Sequence, residues 1–539
     1  MSGSESGMVV DRPIVIVGAG PTGLVVAIEL ARRGIAFHLV DRQPKPASYS
    51  AAIFIKSRTM EILSALGVID EFLELGEIVN GVNLFLEEDQ VGSYRFEHLD
   101  TPYPFVLSIP ENETTRILTH RLGQLSGSVE RGVEFVGIEE SEEKVHVHLN
   151  SQDAGEYWVE ADWVVGTDGY HSAVREAIGD QFDGHDYPEL WGVVDTHITN
   201  WNHARDITCG QLRPPNVIPF PLGKDRWRVY FRPEKADDEA VAKASERLAL
   251  FSPGAEMQNP DEPQFFRSHS RVARKYRIGR VFLAGDAAHA SNPIQGHGMN
   301  AGMHDAYNLG WKLAQAVGGG SHDLLIDSYE RERRPVDQSI VRSGDEAYVR
   351  MDPKHKAELE EAIAHLATPE GQALAALAES EIALSYGDSP IVEEIGPVPE
   401  PTPLRTATGA RVGDVDDLVC LDQRVRLHDL ISGPTPCALV LLGEAEPSAI
   451  SQAQSLLETI VGRTNPVLVA AYVVVRGEAE DQPTESNVLI DTTGRLHERL
   501  CVHGPALCLI RPDGHLGFRC SPPSVERLSA HLDRLYGQD

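Results

Sequence analysis

The sequence predicts an α/β protein in which a parallel sheet is interrupted by an antiparallel one and followed by a second, smaller α/β unit. Three observations carry this. A strand, glycine turn, helix and strand succeed one another between residues 14 and 40, alternating runs occupy 182–270, and strand and helix periodicity returns after 411. A length of 539 residues also demands more than one core, because single cores stop growing near ~250 to 300 residues.

Ile14 to Val17 is a short β-branched run that enters the turn GAGPTG. Leu24, Ala27, Ile28 and Ala31 then recur at helical steps, Gly34 closes the helix, and Ala36 to Val40 supplies the next strand. This is a βαβ unit, which needs a sheet covered on both faces. Trp163 to Thr167 and Val281 to Gly285 are further apolar strands of the same sheet, each leading into a motif and a helix.

Between them Trp227, Val229 and Phe231 alternate with Arg226, Arg228 and Tyr230 after a turn at Gly223, Lys224 and Asp225, the pattern of an inserted antiparallel sheet. The first domain therefore divides into 1–181, with an excursion into the insert at about 75–110, and 271–386, ending in a helical stretch; the insert is 182–270. A segment rich in Pro, Gly, Ser and Thr, 387–410, is the expected linker. The module 411–539 follows: strand Ala438 to Leu442, helix Ala449 to Val461, strand Val467 to Val475, a hairpin turning at Asp513 and Gly514, and a last helix.

A net charge of −33 disfavours nucleic acid, whose affinity for proteins comes largely from Lys and Arg neutralising phosphates. No apolar run approaches the ~20 residues of a membrane span. The first dozen residues lack the basic start, apolar stretch and cleavage site of a secretory signal, so the expected compartment is the cytoplasm. Six cysteines form no CxxC pair, and His289, His297 and His304 show no ligand spacing, so no metal is expected.

Each glycine of the turn has a steric purpose: a tight bend at Gly18, close approach of a pyrophosphate at Gly20, and close helix packing at Gly23. Asp41 lies 18 residues beyond Gly23 at a strand end, where a carboxylate can accept from ribose hydroxyls. That spacing indicates a dinucleotide but leaves NAD and FAD open. Two further motifs follow, DGYHSAVR from Asp168 to Arg175 and GDAAH from Gly285 to His289, the latter extended by PIQGHGMNAGMHDAYNLGWKL.

With these three motifs in order, and the Tyr329, Glu330, Arg333, Pro335 stretch after them, the chain resembles the class A flavoprotein aromatic hydroxylases. The resemblance implies a Rossmann-like FAD-binding domain interrupted by a substrate-binding β-sheet domain. It also implies a C-terminal thioredoxin-like domain of the phenol-hydroxylase branch, with Pro505 in the place of that fold's cis-proline and no redox CxxC. Such a module is expected to pack or to form a homodimer, not to exchange disulfides.

The cofactor contacts it implies are Gly18, Gly20, Pro21, Thr22 and Gly23 in the first motif, with Asp41, Arg42, Arg58, Glu111 and Phe135. Asp168, Gly169 and Arg175 come from the second motif, and Gly285, Asp286, Pro293, Gly296, Gly298, Met299 and Asn300 from the third. Independently of family, a carboxylate such as Asp286 can accept from a ribityl hydroxyl, and a helix starting near Gly298 points free N–H groups outward. Glu111 opens ENETTR where these enzymes usually carry Gln.

The implied reaction transfers hydride from NADH or NADPH to FAD, forms a flavin C4a-hydroperoxide with O2, and hydroxylates a small aromatic, phenolic or polyketide-like substrate. NAD(P)H is a transient co-substrate, since no second nucleotide fingerprint is present. A phenol, with a pKa near ~10, reacts well only once ionised. Arg228 and Tyr230 are candidates from the insert sheet, beside Arg213 and His203, and the family's matching proline makes Pro293 a positioning residue through its carbonyl.

Epoxidation or Baeyer-Villiger oxidation by the same flavin is the alternative enzyme reading. A flavin-binding protein without turnover is the non-enzymatic one, distinguished by a lack of substrate-stimulated NAD(P)H oxidation. The WxWxIP signature of flavin halogenases and the GxSxG elbow of hydrolases are both missing.

Overall fold

The computed structural model describes residues 10–11, 14–47, 52–141, 143–214, 216–237, 239–317, 323–351, 353–397, 406–463, 470–477, 485–502 and 504–537. Residues 1–9 and the 398–405 part of the expected linker lie outside them.

Six strands form the central sheet, in the order Arg277–Ile278, Val281–Leu283, Trp163–Gly166, Ile14–Val17, His38–Asp41, Val129–Arg131. All neighbours run parallel except the first pair. Ile14–Val17 and Trp163–Gly166 are buried at every position, as strands covered on both faces must be. One cover is built by the helices Pro21–Ala31 and Gly298–Gln315, which pack so closely at Gly310 that a Cβ there would lie 2.5 Å from the Glu29 side chain. A further sheet, Val133–Glu140, Val145–Ser151 and Gly155–Ala161, adds Val145, Val147, Leu149 and Val159 to the same core.

The helix Gly298–Gln315 departs from expectation. A single apolar stripe through Met303, Ala306, Gly310 and Leu313 would leave the opposite face in solvent, yet Asn300 to Ala314 are all buried. Its polar residues are buried in ion pairs and hydrogen bonds instead.

The inserted sheet runs Val217–Pro221, Arg226–Phe231, Phe182–Thr199, Gln264–Ala273, His289–Ala290, with every pair antiparallel. Trp227, Val229 and Phe231 pack against Ala244, Leu248 and Phe251 of the helix Ala240–Phe251. The other side offers Trp191, Val193, Phe220 and Tyr230. Beside it Gly81–Leu86 is the middle strand of a small sheet, paired with Ile207–Gln211 on one side and Asp89–Arg95 on the other.

The C-terminal sheet has eight strands, five of them from Leu418–Cys420, Cys437–Gly443, Ala470–Arg476, Ala506–Ile510 and Leu516–Cys520. Glu393–Ile395 joins it as an edge strand parallel to Leu516–Cys520, so part of the stretch expected as linker is sheet. Its Glu394 carboxylate takes two bonds from Arg519, 2.8 and 2.7 Å, which holds the segment there despite its irregular composition. Pro505 is not in a cis peptide; the cis bond among the described residues is Ser521–Pro522. The cysteines are free, and burial pushes the thiols of Cys437 and Cys508 up to about 12.

Ionic contacts fasten this unit to the rest. Arg511 donates to both Glu332 carboxylate oxygens at 2.7 and 2.8 Å, Lys312 reaches Glu332 at 2.7 Å, and Trp311 Nε1 donates to Asp513 at 3.1 Å, all buried. Among the described residues no helix is long and apolar enough to cross a membrane.

Candidate functional site

A cavity of about 420 Å³ lies between the three motifs and the aromatic side of the inserted sheet, within the range of small-molecule sites. Gly20, Pro21 and Thr22 line it from the first motif, Gly169 and Tyr170 from the second, Asp286 from the third, and Pro293 to Met299 from the loop that enters the long helix. Trp191, Phe220, Tyr230 and Phe266 close the far side. A smaller, mostly apolar cavity of about 190 Å³ adjoins it across Phe54, Ile218, Phe220 and Ile294.

The glycine turn behaves as its spacing predicts. Gly18 has φ +105°, and a Cβ at Gly23 would lie 1.9 Å from the Gly18 carbonyl oxygen. Gly20, by contrast, has nothing within 4 Å of where a Cβ would sit. It caps the helix Pro21–Ala31 with no side-chain bond, so that helix end presents its N–H groups to the cavity. The helix Gly298–Gln315, capped by His297, likewise has no side-chain cap. Two open helix ends in one cavity suit a pyrophosphate and an electron-rich ring. The site therefore fits FAD.

Several motif residues hold the frame instead of facing the cavity. Asp41 accepts from the N–H groups of Ala19 and Gln43, both at 2.8 Å, which pins the glycine turn to the strand end; Arg42 is exposed beside it. Asp168 accepts from Ser172 Oγ at 2.5 Å and Val174 N at 3.1 Å, and burial raises its carboxyl above the usual range. Arg175 donates to the carbonyls of Ala287 and Tyr170, both 2.8 Å, and stacks 3.9 Å over Phe182, joining the second motif to the third. Asn300 spends its amide on the Phe54 and Gly296 carbonyls and on Lys56 N.

Asp286 faces the cavity, carried on a tight turn in which Gly285 has φ +61°. Although exposed to that space, it is sunk among protein atoms, and desolvation lifts its carboxyl despite the pull of His289 and His269. Gly285 N–H donates to Asp305 at 3.0 Å, and Asp305 is held in turn by His289 at 2.8 Å and Arg333 at 2.7 Å. Burial opposes the charge on His289, but Asp337 and Asp305 overcome it and lift the imidazole to about 9. His289, Asp305 and Asp337 are near enough to hold a metal ion, yet the Arg333 guanidinium already supplies their positive partner, 2.9 Å from Asp337.

Three expectations need correction. Arg58 points away from the cavity, to Glu61 at 2.9 Å and the Asp513 carbonyl at 2.6 Å, because the C-terminal unit covers that helix. Phe135 is packed in the core of the first domain, its ring satisfied by apolar neighbours. Arg228 is clamped by Asp195 at 2.6 and 2.8 Å within the sheet and does not line the cavity. Glu111 lines the cavity from the start of the helix Glu111–Gln124, its N–H donated to the Ala52 carbonyl. Pro293 and Tyr230 line the cavity, and the Pro293 carbonyl accepts from Gly296 N–H at 3.1 Å.

The sequence of this chain matches the profile of the family described as FAD binding domain over residues 11–344. It is 30% identical to pentachlorophenol 4-monooxygenase of Sphingobium chlorophenolicum, over 98% of this chain and 97% of that protein. The chain belongs to the class A flavoprotein aromatic hydroxylases. Another such hydroxylase relative, 6-methylpretetramide 4-monooxygenase of Streptomyces rimosus, is 31% identical over 97% of this chain and 93% of its own. Among solved flavoprotein hydroxylases, anhydrotetracycline hydroxylase of Streptomyces rimosus superposes with a TM-score of 0.76 at 27% identity, over 98% of this chain and 100% of that one. Aklavinone-11 hydroxylase, solved with FAD and aklavinone, shares the fold at 24% identity and TM-score 0.76, over 100% of both chains. As a class A hydroxylase the protein is an FAD-dependent, NAD(P)H-consuming monooxygenase, as its motifs imply.

Phe54, Lys56, Trp191, Phe220 and Phe266 also line the two cavities and carried no motif, whereas His297, which lines the larger one, lies in the extension of the third motif. Only the aromatic content of the insert hinted at any of them.

Proposed function

We propose that this hydroxylase acts on a phenolic or polyketide-like ring that lies between the two cavities. The observation that carries the reading is the position of the larger cavity: FAD motifs on one side, an aromatic wall of Trp191, Phe220, Tyr230 and Phe266 on the other. The relatives named for pentachlorophenol and 6-methylpretetramide support a substrate of that class. When bound, FAD takes hydride from NAD(P)H and, once reduced, delivers one atom of O2 to the ring while the other leaves as water.

The chain's own residues bind, orient and exclude water. Residues 1–181 and 271–386 would form a Rossmann-like FAD domain, with Gly20, Pro21 and Thr22 under the pyrophosphate and Asp286 on the ribityl chain. The aromatic wall of the insert, 182–270, stacks on the substrate ring and keeps solvent from the reacting face. Pro293 carbonyl has one lone pair on Gly296 and a second for a substrate hydroxyl. The unit 411–539 would be a thioredoxin-like domain without redox chemistry, serving packing and a homodimer.

The test is to purify the protein, record its flavin spectrum, and follow NAD(P)H consumption and product mass with a panel of phenols and aromatic polyketides. A product one oxygen heavier than its substrate, formed with stimulated NAD(P)H oxidation, is the expected result. A flavin-loaded protein that oxidises NAD(P)H no faster with any member of the panel removes the substrate class.

A further inference from the structure

Behind the loop that enters the long helix, a buried polar chain joins the two cavities. Lys56, 1% exposed, precedes the helix Ser57–Ala65 and lines the apolar cavity; His297, 8% exposed, caps the helix Gly298–Gln315 and lines the larger one. Lys56 Nζ lies 2.8 and 3.3 Å from the His297 ring nitrogens Nδ1 and Nε2, and 3.0 Å from Glu379. His297 Nδ1 is 2.5 Å from Glu381 Oε1. Lys56 lies outside the three FAD motifs, and His297, although inside the extension of the third, is not among the cofactor contacts the resemblance implies.

A carboxylate at 2.5 Å from Nδ1 places the ring proton on that nitrogen. Nε2 then carries the lone pair, and Lys56 Nζ, 2.8 Å from Nδ1 and 3.3 Å from Nε2, sits against the ring between the two nitrogens. One ammonium faces two carboxylates here, so the group Lys56, His297, Glu379 and Glu381 is neutral only when the imidazole carries a second proton. The other titratable neighbours are His304 on the same helix, which burial holds neutral, and Tyr94, whose phenol burial pushes up well above its ordinary value. Arg58 and Arg333 stand beyond them, both committed to acidic partners.

Given the phenolic reading above, on which this rests, we propose that His297 is the proton acceptor for the substrate hydroxyl and that Lys56 stabilises the phenolate. The O–H bond breaks, its electron pair stays on oxygen, and the proton forms Nε2–H on His297. The Lys56 ammonium, held beside the ring by Glu379 at 3.0 Å, donates a hydrogen bond to the phenolate oxygen. His297 is the catalytic residue of this step, with Glu381 holding it in the required tautomer. Glu379, 21% exposed, is the group through which the chain meets solvent.

The experiment titrates a nitrophenol, whose ionised form is coloured, bound to the FAD-loaded protein. The bound probe should ionise at least one pH unit below the free probe, a tenfold change in the ionised ratio. His297→Gln and Lys56→Met should abolish the shift, Lys56→Arg should keep most of it, and the acid limb of the kcat/KM profile should move in the first two. A merely structural network would alter flavin retention or Tm without moving the ionisation of the probe. A nitrophenol that binds the unaltered protein with no shift, or a shift retained in both His297→Gln and Lys56→Met, overturns the proposal while leaving the phenolic reading intact. A panel in which no phenol binds overturns that reading, and this step with it.

Discussion

At the residue scale, two glycines three positions apart in one turn should respond in opposite ways. A Cβ at Gly20 meets open space, so Gly20→Val should fold with unchanged Tm and lose FAD, its side chain standing where a pyrophosphate must approach. A Cβ at Gly23 collides with the Gly18 carbonyl and Thr167 Oγ1, so Gly23→Val should fail to fold or melt far lower. Flavin content after desalting and a thermal melt separate the two. Asp286→Ala belongs with the first: retention should drop about tenfold or more, the loss expected for one charged acceptor, with the melt of the flavin-free protein little changed. Full flavin occupancy in Asp286→Ala would remove it from the ribityl contact. The sequence singled out all three of these residues, but it could not tell which carboxylates face the cavity and which bond back onto their own motif. Asp41 and Asp168 look as exposed in the sequence as Asp286, yet backbone N–H groups absorb them. Lys56 carried no signal at all, because its value lies in a partner 241 positions away.

At the element scale, the long helix is legible as a helix but not as a fully buried one. Its polar positions read as a solvent face, whereas they bind the neighbouring helix Asp323–Met351 through Asp305 to Arg333 and Lys312 to Glu332. Buried pairs of this kind contribute little as a pair, yet losing one partner costs about 3–5 kcal/mol through the stranded charge. Asp305→Asn should therefore lower Tm steeply and also weaken FAD binding, since Gly285 and the turn bearing Asp286 hang from that carboxylate. If the melt falls and flavin affinity at low temperature does not, Asp305 supports the helices without setting the turn. The insert sheet was similarly half-legible: alternation located Arg226–Phe231, but burial of both its faces, one on a helix and one on the cavity, made Arg228 a clamped ion pair instead of a ligand.

At the scale of the whole molecule, two buried histidines, one ending GDAAH and the other on the long helix that follows it, set opposing pH limits. His289 is lifted to about 9 in the folded chain from an ordinary 6.5. Its stabilisation is complete below about 6.5 and is lost as pH rises through 9, because the unfolded chain gives up its proton first. His304 is lowered to about 3 by burial, its Nδ1 without a hydrogen-bond partner and its Nε2 at 2.9 Å from Thr59 Oγ1. That group costs nothing above 6.5, and stability falls as the pH drops from there towards 3, since only the unfolded chain can protonate it. Each limb carries about 1.4 kcal/mol per pH unit over its window, so the stability of the flavin-free protein should peak near neutrality and decline on both sides. Urea midpoints measured across pH 4 to 10 read this directly. His289→Gln should flatten the alkaline limb and leave the acid one, and His304→Gln should do the reverse. A stability curve with equal slopes in the parent and both variants would mean that neither histidine holds the charge state its surroundings impose.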